Sequence, residues 1–369
     1  MKPSEFLYTV CQVGAEPALK KELARDYPAL RFAYSRPGFV TFKDTESKLT
    51  QNFGLRSVFA RAFGLSLGAV PKKGEPLESL AQAVWERISQ ETPDLSARAQ
   101  TKIKVHVFER DQHVPSEEPM GYLQGAWAER AEKALTETRP QSIQAEINTP
   151  AKLGDLVFDV VVLEQNEWWL GLHEQTRGHS PFPGGRPKIP YPNEAPSRAY
   201  TKLQEALLWS EAPIIAGDTA VEIGSAPGGA CYALLKHGLK VVGIDPGKMD
   251  PMVMLMKGYQ HISKSVNLVP REELPPSVEW LLLDMNVPPS ASLFVVDRLA
   301  SRMKDCLLGV ILTVKLNNWK FADEIPGMRE HLRAMGMTRV RARQLASNRQ
   351  EFCLYGLTRK GGLRIASRE

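Results

Sequence analysis

The sequence predicts an α/β fold built on a doubly wound, mostly parallel sheet, and three observations carry that reading. Downstream of Ser197, segments with helical and strand-like apolar spacing alternate towards the end of the chain, as successive strand–helix–strand units do. Val221–Ala230 reads VEIGSAPGGA, in which an apolar strand stops at Gly224 and Pro227-Gly228-Gly229 opens a helix. Twenty-one residues after Gly224, a second apolar strand, Val241–Ile244, ends at Asp245. A glycine bend between strand and helix lets a phosphate, carboxylate or nucleoside reach the backbone without meeting a Cβ. An acid closing the next strand can accept hydrogen bonds from ribose hydroxyls. An ordinary tight strand-to-helix turn would carry the same glycines, but the two motifs together point to a nucleoside-containing cofactor.

That layout serves both NAD and S-adenosylmethionine. The dinucleotide fingerprint G-x-G-x-x-G needs its second glycine where a pyrophosphate approaches. Here the position is Ala226, followed by Pro227. S-adenosylmethionine has no pyrophosphate, and its methionine end needs only a loose glycine bend. The methyl donor therefore fits better, with Gly224, Ala226, Pro227, Gly228, Gly229 and Asp245 as the candidate cofactor-binding residues.

The elements upstream follow in order. Phe6–Cys11 is apolar, Ala18–Tyr27 has helical spacing, and Arg31–Tyr34 and Gly38–Phe42 flank a Pro37-Gly38 turn, so Phe6–Phe42 reads strand, helix, strand, strand. Asn52–Leu67 reads as a helix passing into a strand, and Pro71–Pro76, rich in Lys, Gly and Pro, as a linker. Leu80, Val84 and Ile88 mark one face of a helix over Leu77–Gln90, and Ile103, Val105 and Val107 alternate in a strand over Thr101–Phe108. A helix over Leu123–Glu137 and an apolar strand over Leu156–Leu163 follow; Gln165-Asn166 turns the latter into Trp168–Leu172. The Trp168-Trp169 pair either stacks a base or splits its rings between core and surface. Arg177–Pro196 holds six prolines and three glycines, which exclude helix and central strand and mark a domain boundary.

A chain of 369 residues exceeds one ordinary core and predicts two or three domains. Apolar content of 43% and charged content of 24% suit a globular protein in water. No apolar run approaches the ~20 residues that cross a bilayer, and MKPSEFLYTVCQVG lacks the apolar core of a secretory signal, so a cytoplasmic protein without a membrane partner is expected. Cys11, Cys231, Cys306 and Cys353 lie far apart without C-x-x-C spacing and read as reduced thiols. The seven histidines are equally scattered, so no metal site is expected. Net charge is +5, yet Ile325–Glu369 alone carries ten Lys or Arg against three Glu, a balance of +7. Arg339, Arg341 and Arg343 alternate and share one face if they lie on a strand. Such a segment suits a polyanion such as nucleic acid, although a solvated basic surface has the same composition.

Four charged residues stand where open α/β sheets keep their chemistry. Ser197 is placed to cap a helix over Arg198–Trp209, and Lys202 sits in that helix between Ala199 and Ala206. Asp284 ends the apolar strand Trp280–Leu283. Lys315 interrupts GVILTVKL, which otherwise reads as a buried parallel strand, and Glu351 opens the last apolar run, Phe352–Leu357. Each alone could be a structural ion pair. Together, two ammonium and two carboxylate groups around a sheet that binds a methyl donor suit deprotonation of an alcohol. A ribose hydroxyl is too weak an acid to react unaided, and a lysine with its pKa lowered by burial and a second ammonium is expected to take the proton. The carboxylates fix the amine's direction, and the protein supplies alignment.

The order Lys202, Asp284, Lys315, Glu351 resembles the K-D-K-E tetrad of 2′-O-ribose methyltransferases with the Rossmann-like methyltransferase fold. SPFPGGRPKIPYPNEAPSRAYTKLQEA, EIGSAPGG and QLASNRQEF resemble, more narrowly, the bacterial RlmM-type enzymes, which methylate a cytidine ribose of large-subunit ribosomal RNA. The resemblance is specific over Ser180–Leu357 and looser before it. It implies a ferredoxin-like domain over 1–70 (EPALKKEL echoes it), a THUMP-like RNA-binding domain over 71–178 and a Rossmann-like methyltransferase domain over 179–369. It further implies Lys315 as proton acceptor, completed by Lys202, Asp284 and Glu351, with Ser197, Ala226–Gly229, Asp245 and Asp284 lining the methyl-donor site. The implied partner is 23S ribosomal RNA or a precursor. Glu222 and Ala226 stand where the family often has Asp and Cys, Ser265 where an acid is expected near the adenine, and Asn317-Asn318-Trp319 also departs from the pattern. An RNA-binding assembly factor with an inactive domain, a base-carbon methyltransferase and an NAD-linked oxidoreductase are the rival readings. Base-carbon chemistry usually needs a cysteine nucleophile beside the substrate, which neither Asp284-Met285 nor the Lys315 strand offers.

Overall fold

The computed structural model describes residues 4–70, 76–92, 103–115 and 125–366. These form two compact units, one drawn from residues 1–114 and 122–188, the other mainly from residues 189–369.

The first unit is one eight-stranded sheet. Its elements are β1 (Phe6–Val10), α1 (Glu16–Asp26), β2 (Leu30–Arg36), β3 (Phe39–Asp44), β4 (Ala62–Ala69), α2 (Leu77–Glu91), β5 (Ile103–Glu109), α3 (Ala126–Thr138), β6 (Ala145–Ile147), β7 (Leu156–Glu164) and β8 (Glu167–Glu174). The strand order is β2-β3-β1-β4-β8-β7-β5-β6. Pro37-Gly38 closes the β2–β3 hairpin, Gly38 taking φ +77°. β4 pairs antiparallel with β8, so the segments expected as separate domains over 1–70 and 71–178 share one continuous sheet. The linker expected at Pro71–Pro76 lies, except for Pro76, outside the described residues, as do the first residues of the expected strand at Thr101 and helix at Leu123.

One sequence expectation changes here. No helix forms within Asn52–Arg61. Buried Glu22 of α1 accepts the Val58 N–H at 2.7 Å and the Ser57 hydroxyl, and Ser57 Oγ accepts the Ala60 N–H at 2.9 Å, so these backbone donors are spent outside a helix. The tryptophans split: Trp168 is fully buried, while Trp169 leans on Phe39 with ring centroids 5.3 Å apart and donates to Ser66 Oγ. Trp168, being fully buried, offers no stacking platform.

The proline-rich segment belongs to this unit as far as Lys188, ten residues beyond the expected boundary. Buried Asp111 pairs with Arg61 and Arg186, and Arg61 Nε donates to the Gly184 carbonyl at 2.8 Å. Gly184 and Gly185, both at positive φ, let the chain lie against Phe108 and Arg61, where a Cβ would come within 2.7 and 2.5 Å.

The second unit comprises α4 (Ala199–Ser210), β9 (Thr219–Ile223), α5 (Gly229–Lys236), β10 (Lys240–Ile244), α6 (Pro251–Leu255), β11 (Tyr259–Ile262), β12 (Trp280–Asp284), α7 (Pro289–Met303), β13 (Gly309–Lys315), α8 (Ile325–Ala334), β14 (Met337–Arg343), β15 (Glu351–Thr358) and α9 (Arg359–Ala366). Its seven strands run β11-β10-β9-β12-β13-β15-β14. β11 through β13 pair in parallel, and β15 inserts antiparallel between β13 and β14. The order reverses between β9 and β12, which opens a crevice beyond their carboxyl ends. The apolar runs that predicted buried parallel strands are buried: Leu281, Leu283, Val310 and Leu312 are at most 2% exposed.

Candidate active site

The four charged residues meet in one ring. Asp284 closes β12, Lys315 closes β13, and Glu351 opens β15 directly opposite Lys315 in the antiparallel register. Lys202 comes from α4, which packs over the same sheet face through Leu203, Ala206 and Leu207. Lys202 Nζ lies 3.1 Å from Asp284 Oδ2 and 2.7 Å from Glu351 Oε1; Lys315 Nζ lies 2.8 Å from Asp284 Oδ1 and also pairs with Glu351 Oε2. Each ammonium bridges both carboxylates, so the ring is electrically neutral. The side chain of Glu351 is 5% exposed, whereas Asp284 and Lys315 are 20% and 17% exposed, which leaves the ring open on their side.

The electrostatics differ from the sequence expectation. Burial acts to lower the pKa of Lys315, but Asp284 and Glu351 within hydrogen-bond reach outweigh it and raise the value above that of a free lysine. Burial likewise works against ionised Glu351, yet the two lysines bring its pKa down to about 2. The resting ring therefore holds Lys315 as an ammonium. Beneath it a cavity lies among Lys202, Glu222, Asp284, Thr313, Asn348 and Cys353. Burial, with repulsion from Asp284 and Asp245, pushes Glu222 up to about 8, so this residue is a neutral acid at pH 7.

The glycine bend lies beside the ring. A Cβ on Gly224, at φ +77°, would sit 2.3 Å from the Asp284 carbonyl, and one on Gly229 would sit 2.3 Å from Ser197 Oγ. Gly228 takes φ +115° and precedes α5. Asp245 accepts the Ala226 N–H at 3.2 Å and the Gly247 N–H at 2.6 Å, while the Pro227 carbonyl accepts from Asp250 N. Ser197 does not cap α4 as expected: its carbonyl accepts the Tyr200 N–H, and its hydroxyl is buried without a hydrogen-bond partner. Ser197, Gly224, Ala226–Gly229, Asp245 and Asp284 thus form one linked neighbourhood. Ser265 is exposed at the start of a short 3₁₀ turn after β11. Among the described residues no cluster of three or more His, Cys, Asp or Glu is arranged to hold a metal ion.

One supporting residue escaped the sequence reading. Buried Glu205, one turn along α4 from Lys202, accepts the Ala346 and Ser347 N–H groups at 2.7 and 2.8 Å. Asn348 Oδ1 accepts the Leu345 N–H, and the Gln350 carbonyl accepts the Leu316 N–H. These bonds tie the helix of Lys202 and the strand of Lys315 to the loop that delivers Glu351. A charged residue on a helix reads as exposed; only its i+3 spacing from Lys202 hinted otherwise.

Residues 195–317, within the second unit, match the FtsJ-like methyltransferase family. The chain is 26% identical to ribosomal RNA large subunit methyltransferase M of Marinobacter nauticus over 94% of its own length and 97% of that protein, and is a homologue of the proteins bearing that name. The protein of that name from Azoarcus sp. is 30% identical over 55% of this chain and 57% of its own length. The one from Marinomonas sp. is 38% identical over 34% of this chain and 37% of its own length. The chain thus spans little more than half the length of the Azoarcus relative.

Proposed function

We propose that the protein transfers a methyl group from S-adenosylmethionine to a ribose 2′-hydroxyl of RNA, a cytidine of 23S ribosomal RNA or its precursor. The observation that carries this reading is the neutral Lys202–Asp284–Lys315–Glu351 ring beside a glycine cradle whose space a Cβ would fill. Ser197 Oγ, a buried donor without a partner, and the backbone at Ala226–Gly229 fit the methionine end of the donor, and Asp245 fits its ribose. S-adenosylmethionine, when bound, supplies a methyl carbon whose bond to sulfur breaks as its bond to the ribose oxygen forms. Lys315 first releases its ammonium proton to water, and its lone pair then accepts the 2′-hydroxyl proton. Asp284 and Glu351 hold that nitrogen in place, and Lys202 balances their charge, so the amine points one way when the alcohol arrives.

In this reading the methyltransferase domain of 179–369 does the chemistry. The strands of 1–70 and 71–178 act as ferredoxin-like and THUMP-like parts that grip RNA, and the protein works in the cytoplasm. An inactive domain is not favoured, because decay would not keep four charges in mutual contact. The test is Lys315→Ala, assayed for methyl transfer and, by calorimetry on the same preparation, for donor binding. Turnover is expected to fall ~10²–10⁴-fold with donor binding largely intact; retained turnover overturns the assigned base.

A further inference from the structure

The arginines that alternate along β14 remain unexplained by the ring and the cradle. β14 is the edge strand of its sheet. In the antiparallel register Arg343 stands opposite Cys353, Arg341 opposite Tyr355 and Arg339 opposite Leu357. The same β15 residues stand opposite Thr313, Ile311 and Gly309 of β13, and Lys315 opposite Glu351. Residues directly opposite one another share a face, as do residues two apart on one strand. The three arginines therefore lie on the sheet face that carries Lys315 and Glu351, and Arg343 is one strand from Cys353, which lines the cavity beneath the ring. From there the row leads outward to exposed Arg339. Trp209, two turns along α4 from Lys202, supports it: the Arg341 guanidinium sits 4.7 Å from the Trp209 ring centroid.

Resting on the proposed reaction, we propose that the β14 arginine row is a track for the phosphate backbone of the RNA strand flanking the target ribose. Its charge, its edge position and its approach to the Glu351 side of the ring fit a strand laid along β14, with one guanidinium per successive phosphate. Glu211, at the end of α4, is an acid that faces Arg341. Charged side chains on an edge strand also deter pairing with other chains. That role needs no particular ligand and sets no salt dependence of RNA binding.

The experiment measures affinity for a ribosomal RNA fragment across a salt series. It compares the wild type with the triple variant Arg339→Gln, Arg341→Gln, Arg343→Gln and with the corresponding triple lysine variant. For three lost phosphate contacts on a single strand, the slope of log affinity against log salt is expected to flatten by about 2, and affinity at moderate salt to fall at least about tenfold. The lysine triple keeps the charge and is expected to keep most of the slope. Donor binding by calorimetry reports whether the variants are folded; if the glutamine triple is not, exposed Arg339→Gln alone is expected to flatten the slope by about 0.7. Unchanged slope and affinity in the glutamine variants, or equal losses in the lysine and glutamine triples, overturn the track. A wild type that methylates RNA beside variants of unchanged RNA affinity sinks the track and leaves the reaction standing. A wild type that transfers no methyl group sinks the reaction, while the salt slopes still decide the track.

Discussion

Lys315 takes part in two opposing arrangements. Its place in a buried strand argues for a depressed pKa, and its two carboxylate neighbours argue for a raised one; at 2.8 Å from Asp284 the carboxylates win. A base with a raised pKa is scarce in its active form at neutral pH, and each unit of pH increase yields about tenfold more of it until that pKa is reached. The logarithm of turnover is therefore expected to climb with a slope near one across the neutral and mildly alkaline range. Glu351, held down to about 2, stays ionised throughout and contributes no limb to that profile. Single-turnover rates against pH check this, and a flat profile would show that lysine deprotonation does not limit the step. Asp284, Lys315 and Glu351 were legible because each is a lone charge at the end of an apolar run, and Lys202 because it sits between alanines on a helix face. The direction of the Lys315 shift was not, since it depends on distances that spacing along a chain does not give.

Among the elements, α4 and the loop from Gln344 to Gln350 form a brace around the ring. Glu205→Ala leaves the part-buried N–H groups of Ala346 and Ser347 without their acceptor, a cost of about 1 kcal/mol for each group. A loop displaced by about 1 Å misplaces Glu351 and, through it, Lys315, which is expected to cost turnover about 10²-fold. Glu205→Gln, which keeps one acceptor oxygen, is expected to fall between the alanine variant and the wild type in both melting temperature and kcat. A folded Glu205→Ala with wild-type kcat contradicts the brace. The parallel strands were readable from continuous Val, Leu and Ile runs, and α4 from its spacing. The expected helix over Asn52–Arg61 failed because Glu22, distant in sequence, captures donors that a helix would need. The expected Ser197 cap failed because the hydroxyl turns towards the Gly229 cradle.

Across the whole molecule, the division into two units was partly written in composition. The Arg177–Pro196 segment marked where the folded units change, but Arg61, Asp111 and Arg186 hold its first half to the first unit. The continuity of the eight-stranded sheet was not legible, because β4 and β8 pair across about a hundred residues of intervening chain and no local pattern announces such a partner. Among the described residues no helix is long and apolar enough to cross a membrane. The most direct test of the central claim is mass spectrometry of nucleosides from 23S ribosomal RNA taken from cells lacking the protein. The RNA is treated with purified protein and S-adenosylmethionine before digestion. The predicted product is a single cytidine with one added methyl on its ribose and an unmodified base; no added methyl, or a methyl on the base, would contradict the account.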